Sequence, residues 1–169
     1  MREQPRSDTG RDPKLVTALI VHPGRAEGAA LRAVLDVGEQ IRVVARTEDG
    51  GTATTLTQRL RPAVILLDDR IATPDYRELV RTLARQSRVI IMTAATECTT
   101  ITALLRDPVR GCLVYGQFEA ADLREAVRAV AAGLGWLSPV AVAAASWQLR
   151  GRRRPVATAL TGTDTIGLR

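Results

Sequence analysis

The chain predicts an α/β fold: a (βα)5 doubly wound, parallel, five-stranded sheet with an extra C-terminal linker helix. Three observations carry this. Short apolar runs alternate with amphipathic stretches at strand–helix spacing. The run AVILL at residues 63–67 is apolar at every position, as suits a central parallel strand covered on both faces. Apolar residues make up 46% of the 169 and aromatics only 3%, so a core of one ordinary domain must be built from Val, Leu, Ile and Ala.

The elements follow in order. Residues 15–21 (LVTALIV) predict the first strand, and 26–36 a helix with Ala30, Leu31, Val34 and Leu35 on one face. Residues 41–45 (IRVVA) predict the second strand, and 52–60 a helix opened by the turn Asp49-Gly50-Gly51. After the strand at 63–67, a helix over 76–84 is entered past Pro74 with Asp75 as its cap. Residues 88–92 (RVIIM) predict the fourth strand. A threonine-rich helix over 99–105 is closed by Asp107-Pro108, and 112–115 form a short fifth strand. The helix over 120–132 carries Leu123, Val127 and Val130 as its apolar stripe. Residues 133–139 turn the chain into the linker helix at 140–149. Five such repeats imply right-handed crossovers, and ligand chemistry at the carboxyl ends of the strands.

The net charge of +6 invites a nucleic-acid reading, but its distribution argues against one. Residues 1–14 and 15–149 each balance to +1, whereas 150–169 carry +4. The domains therefore read as a disordered tail at 1–14, a globular body at 15–133, the linker helix at 134–149 and a basic tail at 150–169. No apolar run reaches the ~18 residues a membrane helix needs. The polar N-terminus lacks a signal-peptide pattern, so a cytoplasmic protein without membrane partners is expected. Cys98 and Cys112 have no metal-type spacing and read as reduced structural residues.

RPAVILLDDRIA (61–72), VIIMTA (89–94), RGCLVY (110–115) and LREAVRAVAAGLGWLSPVAVAA (123–144) occur in this order. Together they resemble response-regulator receiver domains of two-component systems, a flavodoxin-like fold, and specifically the NarL/LuxR-type subfamily. The resemblance covers residues 15–149, and its last segment is the most specific. It implies that Asp68 occupies the phospho-acceptor position and Thr93 the switch hydroxyl. It further implies an acidic Mg2+-binding pair after the first strand, a lysine after the fifth, and an aromatic switch within the fifth strand.

Those last positions are not filled as the family fills them. His22 and Pro23 stand where the acidic pair would be, and neither offers the oxygen ligands Mg2+ prefers. Tyr115, a neutral phenol, stands at the lysine position. Cys112, too small for the rotamer swing, stands at the aromatic one. Asp69 is expected to diverge from Asp68 because successive strand residues face opposite ways. No metal site and no cofactor are therefore expected. Asp68 reads as an inherited strand-end carboxylate bonded to Thr93 or to helix N–H groups, and His22 as a solvated or hydrogen-bonded side chain. A less charged pocket suits a small organic ligand better than a phosphate.

The resemblance also implies a dimer face on the fourth helix, fifth strand and fifth helix, comprising Ile101, Leu104, Leu105, Leu113, Arg124 and Arg128, whose apolar side chains read alternatively as core. Trp136 and Trp147 read as packing anchors of the linker helix. The run from Arg150 to Arg154 (RGRRR) reads as a solvated linker, and contact with DNA by this chain would have to go through it. Residues 155–169 are too short for a helix-turn-helix. Leu160-Thr161 is either a remnant of the start of such a domain or the place where a longer protein was cut.

The leading expectation is an atypical pseudo-receiver, not an enzyme. It would act as a phosphorylation-independent regulatory and dimerisation module in signal transduction and transcription regulation, paired with itself or another regulator and open to a small ligand. One alternative keeps phosphorylation at Asp68. Another, from a different class, is a small-ligand or nucleotide-binding flavodoxin-like protein; the first turn, HPGRAEGAA, has only Gly24 and Gly28 and forms no phosphate loop.

Overall fold

The computed structural model describes residues 14–152, so the tails assigned to 1–14 and 150–169 lie outside the described residues except for Lys14 and for residues 150–152, which continue the last helix rather than start a tail. One parallel sheet runs in the order β2-β1-β3-β4-β5-β6. Its strands are β1 (Val16–Val21), β2 (Ile41–Thr47), β3 (Val64–Asp68), β4 (Arg88–Thr93), β5 (Gly111–Val114) and β6 (Trp136–Leu137). The helices are α1 (Arg25–Leu35), α2 (Gly50–Leu60), α3 (Tyr76–Ala84), α4 (Cys98–Leu104), α5 (Ala120–Ala131) and α6 (Pro139–Arg152).

The expected five-stranded sheet is thus corrected to six. The turn at 133–139 contains β6, which pairs with Gly111 and Cys112. Gly111 permits this close approach, since a Cβ there would stand 3.0 Å from the Trp136 carbonyl oxygen. The chain reaches β6 through a Schellman ending of α5. The Leu134 and Gly133 N–H groups donate to Ala129 and Val130 carbonyls, with Gly133 at φ 92°.

Capping explains where the helices start. Asp49 accepts from the Thr52 N–H at 2.6 Å, and Asp75 from the Glu78 N–H at 3.0 Å. Glu119 and Asp122 form a reciprocal capping box on α5.

β3 is buried at all five positions. Val64 and Leu66 enter the core against α1 and α5, while Ile65 and Leu67 enter the core against α2 and α3. A third cluster joins Ile101, Cys112 and Val114 to Ala141 and Ala144. The linker helix is therefore part of the domain's packing. α6 rests on α4 and β5, and the Ser138 hydroxyl oxygen accepts from the Val114 N–H at 3.0 Å. The boundary expected at residue 133 does not separate two packing units.

Candidate functional site

The carboxyl ends of β1, β3, β4 and β5 bring His22, Asp68, Asp69, Thr93 and Tyr115 to one end of the sheet, where open α/β sheets place their ligands. The parallel register seats Asp68 beside Met92, the residue before Thr93. The Asp68 side chain is wholly buried, yet each of its oxygens is engaged.

Oδ1 accepts from Arg70 Nε and from the Arg70 main-chain N–H, both at 2.9 Å. Oδ2 accepts from Arg70 Nη2 at 3.0 Å and from the Tyr115 hydroxyl at 2.6 Å. His22 Nε2 lies 3.2 Å from the same oxygen, within hydrogen-bonding distance. Nδ1 of that ring lies 2.9 Å from the Gly24 nitrogen, which orients the imidazole. A carboxylate offers about four lone-pair positions, so the four donors of Arg70 and Tyr115 leave none open. The Arg70 guanidinium also lies 5.8 Å from the Tyr115 ring centroid, and the His22 and Tyr115 rings meet edge-on with centroids 6.4 Å apart.

Electrostatics follow the geometry. Burial pushes the Asp68 carboxyl up, but the Arg70 and Tyr115 hydrogen bonds outweigh it and hold the group below its ordinary value. Burial, and then the hydrogen bond to Asp68, push the Tyr115 phenol well above its usual range, so it remains a donor. The Asp68 bond likewise raises Arg70.

Asp69 behaves oppositely. Burial raises its carboxyl despite a short hydrogen bond from the Thr93 hydroxyl, and the charge on Asp68 adds to the rise. The Ala95 N–H in turn donates to Thr93 Oγ at 3.0 Å. The two aspartates have different partners, but not through strand alternation, because the strand has ended before Asp69. The expected bond between Asp68 and Thr93 does not form: β3 ends at Asp68, and the chain turns Asp69, rather than Asp68, toward Thr93.

Two other pocket positions stand apart. Pro23 is exposed and contributes no polar atom to Asp68. Cys112 points away from the site into the α4–α6 cluster, where burial, with a smaller effect from Asp69, pushes its thiol up to about 11. Both cysteines are free.

The residue missed in the sequence is Arg70. It lies two residues past the end of β3, inside the run LLDDR, where no strand-end position points to it. A long cation two residues past a buried carboxylate was the available signal. It corrects the expectation of a less charged pocket, because Arg70 supplies the cation that Tyr115 does not. Among the described residues, no group of three or more His, Cys, Asp or Glu side chains is placed to hold a metal. The donor set does not fit Mg2+, since the one carboxylate at the acceptor position is already bound by donors.

The six residues of the expected dimer face do not share one open surface. Ile101 and Leu113 are fully buried, the former in the cluster that α6 completes. Leu104 and Leu105 are half-buried. Arg124 and Arg128 reach the other way, donating to the Val34 carbonyl at 3.4 Å and to Gln40 Oε1 at 2.8 Å. The large apolar side chains that α6 exposes are Val142, Trp147 and Leu149. Trp136 is half-buried against the core faced by α1 and α5, and Trp147 is 57% exposed, so neither lies in the cluster that α6 forms with α4 and β5.

A groove of about 510 Å3 opens beside the site between α1 and α5. Leu31, Val34, Phe118 and Leu123 form its apolar walls, and Arg70 and Tyr115 its polar edge.

Fold and site together define a receiver-like domain in which the Asp68 carboxylate is bound by side chains of its own chain. Solved structures place that class more closely. The chain is similar to a LuxR-family two-component response regulator from Aurantimonas sp. SI85-9A1, at 20% identity and TM-score 0.72, covering 80% of this chain and 99% of that one. It is similar to the isolated receiver domain of RcsB from Salmonella enterica serovar Typhimurium, at 18% identity and TM-score 0.68, covering 78% and 99%. It is also similar to the response regulator ChrA of a heme-sensing two-component system, at 25% identity and TM-score 0.65, covering 80% and 66%. No protein-family model and no curated protein matches the sequence. Among the described residues, no helix is long and apolar enough to cross a membrane.

Proposed function

We infer that this chain is a pseudo-receiver: a non-enzymatic, cytoplasmic regulatory module of the two-component type that works without phosphorylation of Asp68. The observation that carries the reading is the saturation of Asp68 by Arg70, Tyr115 and His22. Phosphoryl transfer needs a free carboxylate oxygen and a metal to neutralise the incoming charge. Here a bidentate guanidinium takes both places, and it cannot release a proton to make room.

In this reading the module acts by pairing with a second regulator chain, its own copy or another, and so biases transcription regulation. One structural neighbour, RcsB, is described as dimers bound to DNA, which supports partnering of this kind. The exposed side chains of α6 offer a surface that the buried Ile101 and Leu113 do not. The groove beside Tyr115 supports a second element, tuning by a small, largely apolar ligand that touches Arg70 at its edge.

The test is incubation of the chain with acetyl phosphate and Mg2+, or with beryllofluoride, read by intact mass and sizing chromatography. The expected result is an unmodified mass and an unchanged elution volume. A phosphoryl adduct that disappears in Asp68→Asn would overturn the reading in favour of a conventional phospho-acceptor.

A further inference from the structure

The amino-terminal edge of the sheet, opposite the site described above, carries a second concavity. It is about 520 Å3 in volume and is lined by Arg85, Ser87, Arg88 and Arg110 over a floor that includes Pro108 and Val109. No carboxylate lines it. Arg88 also lines an adjoining hollow of about 390 Å3 with Lys14 and Arg128, so five cations converge on one edge.

Basic residues in the last turn of a helix are accounted for by the negative end of the helix dipole. That explains Arg128, in the last turn of α5, and Arg85, the C-cap of α3. It does not explain Arg88 and Arg110, which stand at and just before the starts of β4 and β5. Among the described residues, neither has a carboxylate within 4.0 Å, and Arg85 meets Glu78 only at that limit. Ser87, in the same lining, is 7% exposed, and its hydroxyl has no hydrogen-bond partner. That oxygen is itself shut off from solvent, so the accessible donors of the hollow are the guanidinium groups of Arg85, Arg88 and Arg110.

We propose that this concavity binds a small inorganic anion carrying two or more phosphate groups, of the oligophosphate class. Guanidinium groups bind phosphate oxygens through parallel N–H donors, and a chain of phosphates spans several of them at once. The volume is that of a small-ligand site. A nucleic-acid strand fits less well. No aromatic side chain lines the hollow to stack a base, and Asp36 and Glu39 line the next hollow along the same edge.

The probes are inorganic phosphate, pyrophosphate and tripolyphosphate, titrated into the full chain by calorimetry and amide chemical-shift mapping. Expected are saturable binding that tightens with phosphate number, shifts centred on Ser87, Arg88 and Arg110, and at least tenfold weaker binding in Arg88→Gln/Arg110→Gln. The control Arg25→Gln/Arg81→Gln removes the same charge elsewhere and is expected to bind as the parent does. Absence of saturable binding, or equal weakening in both double variants, would overturn the proposal. So would binding of a short DNA duplex by a chain that ignores tripolyphosphate.

Discussion

The two ends of the sheet handle charge in opposite ways. At the carboxyl end, a buried carboxylate is bound on both oxygens by groups of the same chain, and the ensemble is closed. At the amino-terminal edge, Arg88 and Arg110 have no acidic partner among the described residues. Residues 15–149 balance to +1, so the tally conceals a segregated distribution. Part of that segregation is generic. Every helix after a parallel strand starts at the carboxyl end and finishes at the other, so dipole-complementing acids such as Asp75 and Glu119 collect at one end and arginines at the other. The rest, Arg70 on Asp68 and the arginines at the strand starts, is particular to this chain.

The largest way to break the contrast is to open the closed end. Arg70→Met leaves a buried carboxylate short of its cation and is expected to cost about 2 kcal/mol at neutral pH, less than a fully buried pair because the arginine is half exposed. Urea unfolding measures it, and the pH dependence is diagnostic. The folded Asp68 carboxyl lies below the unfolded value of 3.8, so its contribution is complete above that pH and is lost as pH falls through the folded value. The gap between parent and variant should therefore narrow on acidification below about pH 4.

Tyr115→Phe removes one donor to the charged oxygen and is expected to cost about 1.5 kcal/mol. In the parent, tyrosinate absorbance should stay low through pH 10, because burial first of all raises both Tyr115 and Tyr76. Asp69→Asn has the reverse sign. The folded Asp69 value is raised, so its ionisation opposes folding as pH rises. Asn at that position is expected to stabilise the chain by up to about 1 kcal/mol at pH 7, with the gain vanishing in acid. At the open end, Arg88→Gln/Arg110→Gln should change stability by no more than about 0.5 kcal/mol, since it removes no internal partner.

The sequence made the architecture legible because parallel strands buried on both faces leave uninterrupted apolar runs, and because caps such as Asp49 and Asp75 mark helix starts. The helix over 76–84 is found where its cap and periodicity put it. β6 was illegible for a physical reason: two residues carry no alternation, and the strand exists only because Gly111 lets Trp136 approach. At the site, the residues replacing the family's ligands could be listed from position alone. How they satisfy one another could not, since Arg70 reaches Asp68 through a flexible side chain that leaves no periodic trace. The supposed dimer face failed in the same way, because α6 packing on Ile101 is a tertiary fact that strand and helix patterns do not encode.

The Arg70 clasp has a consequence for how such a chain conveys information. A receiver that is loaded and unloaded reports a chemical state, and its abundance can remain constant. A pocket permanently filled by its own arginine has a single setting. Under the proposed reading, what is left to vary is the number of copies and the ligands they carry, so this chain's message is a dose, written by its rates of synthesis and removal and trimmed by what it binds.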